Sequence, residues 1–348
     1  MRIRATLPPV LAILAAVFPL AAAPHTIDGL VRLVRDAVQR KQGDAELARA
    51  LHRLELDQSI DDRTAEELES LVPGPKSIAE LERQREISRG QRLPKVLPRF
   101  PSPPEPTPDE LRSVIEAARR RALAYTASLP DFICTETVRR YEWSFRGWTP
   151  KDTLTLQLTY FEHAEKYKLT LVNGHETKRT YDQVSGAWSR GEFGSMLLDV
   201  FAPASMAAFE WSNWTTLRHR PAYVLSFKID ATNSRYSLTA ERYDRSVVTA
   251  IVGEHGRVYI DRETKDAIRL DIQADSIPKN LPMTAATRTL DYGPAEVGGR
   301  SFLLPLHAEV RMEPRDYHST RNQVEFTGYR KFTGESSISF GDAEEEKR

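Results

Sequence analysis

A chain of 348 residues, 40% hydrophobic and 28% charged, is long enough for two globular domains and too polar to be embedded in a membrane. Its 49 basic and 49 acidic side chains balance, and loss of a leader carrying Arg2 and Arg4 leaves a charge of about −2, which excludes a built-in electrostatic pull toward nucleic acid. Cys134 is the only cysteine, so no internal disulfide is available and the core must hold unaided.

Residues 1–23 read as a signal peptide. Arg2 and Arg4 supply a positive start, Val10–Leu20 an apolar core, and Ala21-Ala22-Ala23 a small-residue exit. The apolar run is short for a membrane span and contains Pro19, with Pro8 and Pro9 just ahead of it. Pro24 obstructs cleavage directly after Ala23. No cysteine follows the leader for lipid attachment. The expected location is periplasmic or secreted, with no transmembrane segment after removal of the signal.

Residues 24–90 read as a small helical bundle. Ile27, Leu30, Val31, Val34 and Val38 recur at helical spacing, Gly43-Asp44 breaks the pattern, and Leu47, Leu51 and Leu54 resume it. Leu68 with Leu71, and then Ile78, Leu81 and Ile87, mark two more helices around the Pro73-Gly74-Pro75 turn. That turn faintly resembles a helix-hairpin-helix, whose backbone N–H groups bind DNA phosphates. It lacks the usual second glycine, and a simple helical hairpin is the better reading.

Residues 91–108 form a proline-rich linker of extended polyproline II character, basic in its first half through Arg92, Lys95 and Arg99. A helix then starts at Pro108-Asp109-Glu110, with Leu111, Val114, Ile115, Ala118, Ala122 and Tyr125 on one stripe. From Phe132 the period changes from 3.6 to 2. Leu154, Leu156, Leu158 and Tyr160 alternate with polar residues, as do Tyr167, Leu169 and Leu171 before the Asn173-Gly174 turn. Residues 191–208 interrupt the strands as an insertion with a short helix at Met196–Phe201. Tyr223–Ile229, Val258–Asp261, Ala267–Ile272, a segment holding Leu290 and Tyr292, Ser301–Met312 and Asn322–Tyr329 complete the strand set. The fold class is α+β: a helical bundle, then a strongly curved antiparallel sheet (a half-barrel) packed on one long helix over 109–341, with a charged tail at 342–348.

No residue pattern announces a reaction. The eight histidines form no HExxH pair, and His175-Glu176 lacks a second histidine four residues on. No GxSxG elbow or phosphate-binding glycine loop is present. Carboxylate pairs such as Asp261 and Glu263 are too common on turns to mean acid–base catalysis. Cys134 alternates with Phe132 and Val138 on one strand face, the place of a buried structural thiol. No cofactor and no metal are expected. The candidate site is the aromatic cluster Trp188, Phe193, Phe201, Phe209, Trp211 and Trp214, which could line a groove for an apolar or peptide ligand. Ordinary packing between insertion and sheet is the competing explanation.

The helix, the strand series and the pair VYIDRETKDAIRLDIQA (258–274) resemble the exported lipoprotein-carrier superfamily, which includes the periplasmic lipoprotein chaperone and a sigma-factor regulatory sensor. Leu290-Asp291-Tyr292 and Leu304-Pro305 match its later strands loosely, over roughly residues 109–340. With YTASLPDFICTETVRRY (125–141) and the helical front end, the whole chain is similar to exported bacterial proteins of no assigned activity. The resemblance implies a concave apolar face that holds acyl chains or a partner's hydrophobic segment, and no residue role transfers by motif. The expectation is an exported noncatalytic binding protein for a lipid, acyl chain or hydrophobic peptide. The alternatives are an envelope assembly factor with a filled sheet core, and an enzyme whose site carries no recognised motif.

Overall fold

The structure is a computed structural model that describes residues 26–144, 147–162, 164–184, 195–241, 244, 246–315 and 318–332. The expected leader, the charged tail, and Trp188 and Phe193 of the aromatic cluster lie outside the described residues. The chain divides into two units between Phe100 and Pro101.

The first unit holds α1 (Ile27–Gln39), α2 (Asp44–His52), α3 (Asp62–Leu71) and α4 (Pro75–Ile87). Each helix is amphipathic, and Ile27, Leu30, Leu47, Leu51 and Leu68 are wholly buried in a shared core. Thr26 and Asp61 cap α1 and α3 by accepting from the N–H groups of Gly29 and Thr64. Helix α4 has no cap of its own at Gly74, and Asp44 of α2 supplies one, accepting from the N–H of Lys76 (3.0 Å) and Ser77 (2.8 Å). The N–H groups that a helix-hairpin-helix would offer to phosphate are thus engaged by a carboxylate of the same unit. Gln84, fully buried, donates to the carbonyls of Leu51 and Leu54 and closes the end of α2. The start of the proline-rich segment also packs here. Phe100 is buried beneath the Arg35 guanidinium, 5.3 Å from its ring centroid.

The second unit opens with α5 (Pro108–Ser128), capped by Thr107 with Pro108 in the first turn. There follow β1 (Phe132–Ser144), β2 (Gly147–Phe161), β3 (Ala164–Val172), β4 (His175–Glu176), α6 (Ser195–Phe201), β5 (Ala208–Leu217) and β6 (Arg220–Ile229). The chain continues through β7 (Ser237–Glu241), β8 (Val247–Ile251), β9 (Gly253–Asp261), β10 (Ala267–Asp275), β11 (Met283–Val297), β12 (Arg300–Pro314) and β13 (Thr320–Lys331). Eleven strands form one sheet in the order β4-β3-β2-β1-β13-β12-β11-β10-β9-β6-β5, while β7 and β8 pair separately. All pairings are antiparallel, and the sheet is not closed into a barrel. The Asn173-Gly174 hairpin has both residues at positive φ (52° and 77°), as a type I′ turn requires.

One face of the sheet carries the core. Val114, Ala118 and Ala122 of α5 and Met196, Leu197, Val200 and Phe201 of α6 join Leu154, Leu156, Leu225, Val258, Leu270 and Leu290 in a single apolar cluster. Cys134 is buried on this face at 1% exposure. Burial pushes its thiol far above its ordinary value, and the carboxylates of Glu136 and Glu165 add to the shift, so the thiolate that nucleophilic chemistry needs is suppressed. The opposite face combines a smaller apolar cluster, Leu217, Ala222, Val224, Tyr259 and Ile268, with ion pairs. There Arg269 forks onto Asp291 (2.6 and 2.9 Å), and Asp271 accepts from Arg257 and Tyr259 (both 2.9 Å).

Candidate functional site

Strand β5 ends the sheet, and its sequence reading is incomplete because of one irregularity. Phe209 and Trp211 alternate as a strand demands, but Trp214 falls out of step. A register shift between Trp211 and Asn213 restores the alternation and sets Phe209, Trp211 and Trp214 opposite Phe227, Leu225 and Tyr223 of β6. Phe209 stacks between Phe201 of α6 (5.5 Å) and Phe227 of β6 (6.3 Å). Trp211 meets Trp214 at 5.2 Å and Tyr223 at 6.4 Å, and Trp214 lies 4.4 Å from Tyr223. Phe201 and Trp214 are buried, whereas Phe209 and Trp211 are half-buried. Four of the six cluster residues therefore share one surface. Trp188 and Phe193 lie outside the described residues.

From this aromatic edge a single register row runs across the sheet. Phe209 pairs with Phe227, Phe227 with Gly256, Gly256 with Ile272, and Ile272 with Arg288. Arg288 is followed by Val310, Asn322, Arg140 and Asp152. The row begins aromatic and ends ionic. Arg140 binds Asp152 through two 2.6 Å hydrogen bonds and is 4% exposed. Gly256 is obligatory, since a Cβ there would sit 1.9 Å from the Asp271 carbonyl oxygen.

Beside this row, under α6, lies a charged group that sequence reasoning missed. Glu254, 1% exposed, faces Arg288 at 3.8 Å and accepts from the Ser234 hydroxyl at 3.2 Å. The Arg288 guanidinium stacks 3.8 Å above the Tyr236 ring. Burial raises the Glu254 carboxyl above its ordinary value against the pull of Arg288 and Ser234. Asp199 of α6 is likewise raised by burial, partly offset by Arg235 and Arg288. Two carboxylates with perturbed acidity are a recognised mark of reactive sites. Here Arg288 acts on both carboxylates, Glu254 buried in the sheet and Asp199 half-buried on α6, and the pair can hold a proton. Local sequence gave no signal for it, because strand register brings Arg288 to Glu254 and the loop after β6 brings Ser234.

The remaining sequence candidates behave as structural groups. Asp261 closes the Arg262–Asp266 turn by accepting from the N–H groups of Glu263 and Thr264 and from Arg220. Burial opposes its charge, but the Thr264 N–H and the Arg220 guanidinium outweigh burial and hold its carboxyl below the ordinary value. His175-Glu176 forms the short terminal strand β4, and His219 sits at positive φ in the β5–β6 turn. Among the described residues no three metal-binding side chains converge, and no helix is long and apolar enough to cross a membrane.

No protein-family model and no curated protein matches the chain. Solved structures do. A DUF1329 family protein from Desulfovibrio piger aligns with a TM-score of 0.30 at 10% identity, over 64% of this chain and 93% of its own. A domain named for outer membrane lipoprotein sorting, from Vibrio parahaemolyticus, aligns with a TM-score of 0.30 at 11% identity, over 64% and 94%. A LolA superfamily protein from Nitrosomonas europaea aligns with a TM-score of 0.27 at 6% identity, over 64% and 93%. These neighbours include the superfamily that the strand pattern resembles. At such TM-scores the superpositions are partial, and the chain's own residues carry the functional reading.

Proposed function

We propose that the chain is an exported, noncatalytic binding protein that holds an apolar ligand at the aromatic end of its sheet, between α6 and β5. The supporting observation is that Phe209 and Trp211 stay half-exposed while their rings join the buried Phe201, Phe227, Trp214 and Tyr223. Apolar surface continuous with the core thus reaches solvent at one edge, where a lipid, an acyl chain or a hydrophobic peptide would gain burial. The test is titration of the chain from residue 24 with N-phenyl-1-naphthylamine. Saturable binding that weakens about ten- to a hundredfold in Trp211→Ala and Phe209→Ala is expected, since each truncation removes roughly 1.5–3 kcal/mol of apolar contact. A wild-type protein that binds no dye would overturn the reading.

A second reading has its own observation. Helices α5 and α6 fill the apolar face with side chains no more than 4% exposed, including Val114, Ala118, Ala122, Leu197, Val200 and Phe201. The sheet is then a rigid body, and the exposed Ile87, Leu93, Val96 and Leu97 of the first unit meet an envelope protein. Capture of a partner that fails when Leu93 and Val96 become Asp, with no dye bound, would select this reading.

A further inference from the structure

Polyproline II backbone makes no internal hydrogen bonds, so its carbonyls remain free acceptors, and aromatic shelves bearing an N–H donor recognise it at low entropic cost. The second unit contains such a contact within itself. The indole N–H of Trp214 donates to the carbonyl of Pro104 at 2.9 Å. Residues 101–107, Pro-Ser-Pro-Pro-Glu-Pro-Thr, have neither helix nor strand and run along the surface. The strap's far end is pinned to the same place. Thr107 caps α5, and Glu110 in its first turn accepts from the Tyr223 hydroxyl at 2.9 Å. The shelf has a cationic rim, with Arg262 over the Trp214 ring (5.2 Å) and Lys265 over Tyr223 (5.0 Å), while the strap's one charged residue is the acidic Glu105.

We propose that Trp211, Trp214 and Tyr223 form a docking shelf for proline-rich peptides in the polyproline II conformation, and that residues 101–107 are its resident, exchangeable occupant. Tethering places the strap at an effective concentration on the order of millimolar, which keeps free peptide out of the wild-type shelf. The proposal shares Trp211 and Trp214 with the apolar-ligand reading but stands on a different observation, so peptide exchange and dye binding fail independently.

The experiment uses the chain from residue 24, wild type and with Pro103, Pro104 and Pro106 all changed to Gly, titrated with a synthetic peptide of residues 101–108. The triple variant is expected to bind the peptide saturably, at least tenfold more tightly than wild type, and Trp214→Phe in the same background to weaken that binding about tenfold, the worth of one hydrogen bond. Equal binding by wild type and triple variant, or indifference to Trp214→Phe, overturns it. The Trp214 indole N–H, followed by NMR solvent exchange, needs no ring substitution. It should exchange slowly in wild type and fast in the triple variant, and equal rates contradict the resident strap.

Discussion

Glu254 on β9 and Arg288 on β11 face each other across β10 at 3.8 Å, with the carboxylate 1% exposed and the guanidinium stacked on Tyr236. A charge so deeply buried is tolerable only with its partner in place. Removing the partner in Arg288→Met should destabilise the fold by about 3 kcal/mol at pH 7. The loss should shrink at acid pH. Burial holds the Glu254 and Asp199 carboxyls above their ordinary values, about 4.3 and 3.9. The folded state thus binds these protons more tightly than the unfolded chain. Their stabilising contribution is complete below those values and is lost as pH rises through the raised folded ones. Urea unfolding of Arg288→Met and wild type at pH 7 and pH 5 checks this, and a difference that does not change with pH contradicts it.

Cys134 is expected to be chemically silent. Its thiol is buried on the core face, and its pKa is raised by that burial and by Glu136 and Glu165. A thiol-specific reagent should leave the native protein unlabelled and react fully once urea unfolds it. Rapid labelling of native protein would contradict the buried-thiol assignment.

Gly256 occupies the centre of the row that joins the aromatic edge to Arg288. A methyl group there meets the Asp271 carbonyl oxygen at 1.9 Å and its carbon at 2.9 Å, both backbone atoms that cannot rotate away. Gly256→Ala should cost about 3 kcal/mol, the upper end for an overpacked site. Thermal melting reads the effect, and an unchanged melting temperature would refute the close approach of β9 and β10.

In the helical unit, fully buried Gln84 donates to the carbonyls of Leu51 (2.7 Å), in the last turn of α2, and Leu54 (3.1 Å), just beyond it. Gln84→Leu conserves bulk but removes both bonds, leaving the Leu51 carbonyl with the Leu54 N–H, and should cost about 2 kcal/mol. Chemical denaturation monitored by circular dichroism measures it, and a neutral result would show that the carbonyls find other donors.

The parts legible in sequence were those with local signals. The stripe from Val114 to Ala122, the alternation at Leu154–Tyr160 and the Asn173-Gly174 turn each depend on neighbours a few residues apart. Their elements stand where the periodicity put them. Strand β5 was hidden because its register shift throws Trp214 off the alternation begun by Phe209 and Trp211. The pairing of β1 with β13, which sets Val138 against Val324, and the meeting of Glu254 with Arg288 are products of register between distant segments. Composition and spacing carry no trace of them. The aromatic cluster was visible as a list of residues, but its division into buried Phe201 and Trp214 and half-exposed Phe209 and Trp211 required the fold.

The most direct test of the central claim is native mass spectrometry of the mature protein taken from its own envelope fraction, followed by denaturing extraction and lipid analysis. An apolar ligand held at the Phe209–Trp211 edge predicts a stoichiometric mass adduct that is lost on denaturation and recovered as a lipid or hydrophobic peptide. A bare polypeptide mass under native conditions, with nothing recovered on extraction, would contradict it and leave a filled sheet whose function lies in protein contacts.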